Sequence, residues 1–491
     1  MAAEKDYGKD VEVTAGSYSG SESPTTSHPP LDPQVEKRIV RKLDMKVIPI
    51  LWILYLVSFV DRGNIGNAKI QGMDKELKLE GQMFNIAVIV FNIGYVTAGI
   101  PLSIVFRKTG PKSLAVMMFL WGLTVIGQGL TKSYAGLVVC RTLEGIAEAA
   151  FVPGAAYLIG SYYKKNEFLK RYVIFFSAGI FAGAINGFLA YLFVKMDGVG
   201  GYSGWRWIFI MEGLVTVLVS FACIFFIVPF PEQSTFLAPE EKEILLARLK
   251  ADGGAVEHDK LTVGRALGFF KDWKIWAAII IYVGAEENAN SIVNFQPSIL
   301  KGIGYTAIEA QTHTIPVYVT AMAFSISCAV LSEYLRQRYL FAMVGFITLC
   351  IGLAVEVAQS KVAGVKYMGM FFMTSGAYLV MPLAVVWIAI NVGKGYKRTV
   401  ALGAIVAFGN CGAFVGSNVF LTSEAKTGYH TGFSVGMAFC CAGALASTIM
   451  YVGMRLGNKK RDEARKTLPP ALDELSLEDM GEKHPDFRYS L

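Results

Sequence analysis

What most limits the folds open to this chain is the recurrence of apolar stretches long enough to cross a bilayer. The hydrocarbon core takes about 20 helical residues to span. Twelve such stretches can be marked, near residues 46–66, 82–105, 112–130, 135–160, 172–194, 207–228, 274–298, 313–332, 339–358, 366–391, 397–421 and 432–455. In lipid a backbone must satisfy its own hydrogen bonds, so each stretch is expected to be a helix. Charged residues make up 17% of the chain, against about 25% in soluble domains. The reading is an all-α polytopic membrane protein embedded in the lipid bilayer.

The stretches fall into two sets of six separated by a polar insert. This layout predicts a major facilitator fold, 12 transmembrane helices in two six-helix bundles, with the substrate site near the midplane between them. The expected divisions are a disordered tail over 1–36, a first bundle over 37–230, a linker over 231–272, a second bundle over 273–456 and a tail over 457–491. Basic residues gather in alternate loops: Arg107, Lys108 and Lys112, then Lys164, Lys165, Lys170 and Arg171, then Arg336 and Arg338, then Lys394, Lys397 and Arg398. That bias predicts cytoplasmic termini and a cytoplasmic linker.

The net charge of +7 is spread over loops and gives no stripe suited to nucleic acid. The seven cysteines lie inside apolar spans without C-x-x-C spacing, so no disulfide framework, metal site or cofactor is expected. No nucleophile–base pair is visible, which argues against an enzyme. A monomer that handles a small-molecule substrate and protons is the expectation.

Polar residues inside the spans carry the functional signal, because charge there is costly and usually faces a wet cavity. In span 1 the run from Val47 to Val60 is almost wholly apolar and is followed at once by Asp61, Arg62, Asn64 and Asn67. Span 4 holds Arg141, Glu144 and Glu148, with Arg141 and Glu148 about two helical turns apart. Span 7 carries Glu286, Asn290 and Asn294 on one face at i, i+4, i+8, with Glu287 beside them; Asn391 and Asn410 in spans 10 and 11 are weaker candidates. Glycines four apart in span 5 (Gly179, Gly183, Gly187) and in span 11 (Gly412, Gly416) read as close helix contacts.

The set SFVDRGNIGNA, RTLEGIAEAAFVPGAAYLIGSYY, KMDGVGGYSGWRWIFIMEG and WIAINVGKGYKRTVALGAIVAFGNCGAFVGSNVF resembles the fungal allantoate permease family. This is the anion:cation symporter branch of the major facilitator superfamily, and within it the chain looks most like nicotinic acid permeases. The resemblance implies proton-coupled uptake of a small organic anion across a fungal plasma membrane, with Arg62 on the substrate carboxylate and Glu148 as the proton-linked acid. Arginine suits that task because its planar fork matches a carboxylate. In this sequence Glu286 and Glu287 stand where the family usually has neutral residues. Two acids there would repel an anion or welcome a cationic or zwitterionic substrate. A proton-antiport efflux carrier for a secondary metabolite or drug is the alternative.

Overall fold

Apolar runs of this length satisfy their backbone only as helices, and the computed structural model has them so. It describes residues 33–80, 82–251, 263–305, 307–359, 362–392, 396–416, 418, 419, 424, 428–465 and 487–491. The first half contains α1 (Pro33–Ala68), α2 (Met83–Thr109), α3 (Lys112–Leu130), α4 (Tyr134–Glu148), α5 (Phe151–Tyr162), α6 (Lys165–Val194) and α7 (Gly204–Phe226). Two short helices follow in the linker, α8 (Pro239–Ala251) and α9 (Val263–Phe269). The second half contains α10 (Trp273–Ile303), α11 (Ala307–Leu335), α12 (Arg338–Val357), α13 (Ala363–Asn391), α14 (Tyr396–Gly409), α15 (Cys411–Gly416) and α16 (His430–Arg465).

Among the described residues, ten helices are long and apolar enough to cross a membrane by length and composition. The two other crossings are a broken helix pair and a helix with a polar middle. One is α4–α5, interrupted at Ala149 and Ala150. Pro153, in the first turn of α5, has no N–H to offer Ala149, so the helix restarts there. The other is α10, whose middle holds Glu286, Glu287, Asn288 and Asn290. Span 11 is likewise divided at Asn410, whose side-chain amide donates to the Val406 carbonyl (2.6 Å).

The face where α1 begins is called the near face. There the two halves touch. The Arg398 guanidinium of α14 donates to the Gly160 carbonyl of α5 (3.3 Å), and the Lys170 N–H of α6 donates to Glu333 of α11 (2.5 Å). Deeper in, Gly99 of α2 lies against Ala407 of α14, and Gly183 of α6 against Tyr318 of α11. Gly179 faces Tyr55 and Phe59 of α1, while Gly412 and Gly416 lie on the backbone of α10. The small residues therefore serve close packing, as their spacing suggests. Gly145 makes the tightest approach to backbone, since a Cβ there would stand 2.1 Å from the Phe91 carbonyl oxygen.

The linker helix α8 is clasped to the first half. Lys42 of α1 donates to Glu241 (2.5 Å), and the buried Arg248 donates to Glu36 (2.6 Å) and to Glu167. Lys164 also reaches Glu36 (2.6 Å). Helix α9, by contrast, packs on α14 of the second half.

Two sequence expectations need correction here. Residues 33–36 belong to α1 instead of a tail, because the amphipathic start of the first span is already helical and Glu36 is tied down; residues 1–32 lie outside the described residues. The region after 456 is not simply a free tail. Helix α16 runs on to Arg465, and residues 487–491 fold back onto the near ends of four second-half helices. The Leu491 carbonyl accepts from the Arg338 N–H (2.8 Å), and that of Ser490 from Trp387 (3.0 Å) and Asn391 (2.9 Å). Tyr489 exchanges backbone bonds with the Asn458 amide, and its hydroxyl accepts from Arg461 (3.1 Å) and Lys274 (3.4 Å).

Candidate functional site

Helix α1 does not stop where its apolar run ends, so Asp61, Arg62 and Asn64 sit inside the helix. Glu148 is the last residue of α4. Counted at 1.5 Å per residue from their helix starts, Glu148 and Glu286 are each about 20 Å deep, near midspan. The Arg62 Nε donates to Glu148 Oε1 (2.8 Å), and the Ser58 hydroxyl, one turn earlier on α1, donates to the same oxygen. The end of α4 also aims its negative dipole end toward this region, which favours a cation beside it. Arg62 is collared by Phe59 (5.1 Å), Phe91 (5.4 Å) and Tyr95 (4.9 Å), each a ring that attracts its charge. Its Nη2 is buried and has no hydrogen-bond partner, while the side chain keeps 20% exposure. One arm of the guanidinium fork is thus spent on Glu148 and the other is uncommitted.

A second polar group fills the interior of the first half. Asp61 accepts from Trp121 Nε1 (3.1 Å) and the Thr216 hydroxyl (2.7 Å). Glu144 accepts from Gln128 (2.8 Å) and Arg141 (3.1 Å). Asn64 and Glu212 are buried close by. Arg141 and Glu148, two turns apart in the sequence, are not paired with each other in the fold. Arg141 pairs with Glu144 one turn away, and Glu148 is taken by Arg62, because the end of α4 brings it against α1. Asp61, Asn64, Arg141 and Glu144 are almost fully buried between helices of one half.

The second half separates the paired acids of α10. Glu286 is 8% exposed and lies within electrostatic range of Arg62 on α1, Tyr95 on α2 and Tyr378 on α13. It thus faces the meeting place of the two halves. Glu287, one residue on, turns the other way into its own half, where the Ser291 hydroxyl donates to it (3.3 Å) and Gly412 and Gly416 of α15 press on its backbone. Asn290 is half-buried. The Asn294 side chain lies outside the described residues. Asn391 is not at the midspan site at all, because its amide is occupied by the Ser490 backbone and the Trp387 carbonyl at the near face. Asn410 is taken up by the break between α14 and α15.

Residues not singled out in the sequence complete the site. Ser58 and the collar rings fall on the Arg62 face of α1 or opposite it, and Tyr282 and Tyr378 contribute from the second half. Ser58 precedes Arg62 by four residues, so helical spacing alone pointed to it.

The profile of the Major Facilitator Superfamily matches residues 51–417 of this chain. The chain belongs to the Major Facilitator Superfamily. This facilitator is 32% identical over 472 residues to the MFS-type transporter cnsO of Penicillium expansum, covering 93% of this chain and 90% of that protein. It is 29% identical over 485 residues to the high-affinity nicotinic acid transporter of Saccharomyces cerevisiae, covering 97% and 88%. Among solved structures it is similar to the proton:xylose symporter XylE, with a TM-score of 0.64 at 16% identity over 83% of this chain and 96% of that one. The human organic anion transporter MFSD10 aligns with a TM-score of 0.59 at 11% identity, over 82% and 99%. The facilitator is an integral, multi-pass membrane protein, a secondary transporter of small molecules and not an enzyme.

Proposed function

We propose that this facilitator is a proton-coupled symporter of a small carboxylate, of nicotinate size, in the allantoate permease branch of its superfamily. The observation that carries the proposal is the Arg62–Glu148 pair (2.8 Å), an arginine with an uncommitted fork arm held at midspan by a carboxylate. A proton on Glu148 frees Arg62, whose fork then takes a substrate carboxylate in a bidentate pair. Loss of that proton returns Glu148 to Arg62 and expels the substrate. In this reading Asp61, Asn64, Arg141 and Glu144 position α1 and α4, and Glu286 with Asn290 lines the second-half wall. Residues 37–230 and 273–456 are the two rocking bodies, working as a monomer in the plasma membrane with the near face cytoplasmic. The near-face contacts at Gly160 and Lys170 part when the site opens inward. A monoanion carried with one proton is electroneutral, whereas each net positive charge adds about 2.3 kcal/mol per 100 mV.

The test is uptake of labelled carboxylates, nicotinate first, into proteoliposomes with an imposed pH gradient. Uptake driven by an acidic outside and abolished in Arg62→Ala is expected. Glu148→Gln should retain binding and lose the response to the gradient. A gradient-independent flux, or full activity in Arg62→Ala, would overturn the reading.

A further inference from the structure

The charges at the midspan site do not sum to what a simple anion carrier needs. Arg62 and Glu148 neutralise one another, and Glu286 is left over. Among the described residues Glu286 has no hydrogen-bond partner, although it is more than nine-tenths buried. Its oxygens still reach open space, unlike Glu287 Oε2, which is closed off. A buried carboxylate without a partner is costly and is relieved by a proton or by an opposite charge; at the junction of the halves Glu286 is placed to meet a charge that comes and goes. The groups facing it are Arg62, already paired, the hydroxyl-bearing rings of Tyr95 and Tyr378 from packed helices, and that of Tyr282 one turn earlier on α10 itself. Such rings suit a positively charged nitrogen, which their faces attract.

We infer that the substrate is a small zwitterion, with its carboxylate on Arg62 and its positively charged nitrogen between Glu286 and the tyrosines. The inference rests on the carboxylate reading proposed above and narrows it. The charge count supports it. With Glu148 protonated, a bound zwitterion leaves Arg62 positive, Glu286 negative and the substrate neutral, a sum of zero. A bound monoanion under the same conditions leaves a net charge of −1, which within the site only a second proton, on Glu286, offsets. Glu287 does not enter the sum, because it lies inside the second half.

The experiment measures binding to the purified full chain in nanodiscs, using matched pairs that differ in one charged nitrogen. Suitable pairs are nicotinate with N-methylnicotinate, 3-phenylpropionate with phenylalanine, and butyrate with 4-aminobutyrate. In the wild type the zwitterion of at least one pair is expected to bind ten times tighter than its anion. Glu286→Gln should lose that preference and Glu286→Asp should keep part of it. Anions that bind as tightly as their zwitterions in every pair would overturn the inference and leave the carboxylate reading standing. A zwitterion preference that survives in Glu286→Gln would overturn the role of Glu286. Binding of neither class to folded protein would overturn both. The wild-type comparison decides even if the variants fail to fold.

Discussion

At the scale of single residues, Glu148 is a shared acceptor, and the sharing sets how tightly it is held. The Ser58 hydroxyl and Arg62 Nε meet on one of its oxygens. A hydrogen bond to a charged group contributes about 1.5–3 kcal/mol. Ser58→Ala is therefore expected to slow transport about tenfold while Ser58→Thr restores most of it, as read by initial uptake rates; equal rates in all three would show that Ser58 is a bystander. The acids of spans 1, 4 and 7 were visible in the sequence because charge in an apolar run stands out. Their partners were not. Which base faces Glu148 depends on where α4 ends against α1, and a seven-residue spacing cannot convey that. The same spacing logic could not separate Glu286 from Glu287, whose side chains diverge by about 100° on the helix.

At the scale of elements, the helices were legible from length and apolarity, and their close crossings from glycine spacing. The α2–α4 crossing is set by Gly145, where even a methyl group would meet the Phe91 carbonyl. Gly145→Ala is expected to destabilise the protein by about 1–3 kcal/mol through overpacking. Gly66, a helical glycine with nothing within 4 Å of an added Cβ, should respond oppositely, with Gly66→Ala gaining about 0.5–1 kcal/mol from reduced backbone entropy. Thermal unfolding in detergent separates the two signs. The clasp on α8 makes a further prediction. Glu36 is held below its ordinary value near 4.5, first by the hydrogen bond from Lys164 and then by that from Arg248, and Glu241 is held low by Lys42. A carboxylate depressed in the folded state lends stability above its unfolded value, and that stability is lost as pH falls through the folded value. Melting temperature should be level from pH 7 to about pH 5 and decline below about pH 4.5. Arg248→Ala should start lower and decline less; an unchanged acid limb would show that the clasp is not what titrates.

At the scale of the whole molecule, the two halves were foreseeable from six spans, an insert and six spans, whereas the seat of residues 487–491 was not. No periodicity marks that segment, and its bonds go to backbone groups and to residues from α10, α12, α13 and α16 that meet only in the fold. Asn391→Ala removes the amide that both donates to and accepts from Ser490. It should expose Phe487–Leu491 to limited proteolysis and lower the melting temperature by a few degrees, with uptake less affected than in Arg62→Ala. The two near-face fastenings have no residue in common. Helix α8 is bonded to α1 and α6, while α9 and residues 487–491 lie against the second half. A chain cut between Ala251 and Val263 leaves both fastenings whole. Co-expressed as two polypeptides, the halves should find one another in the membrane and restore uptake that neither piece supports alone, so the connection would serve assembly more than turnover.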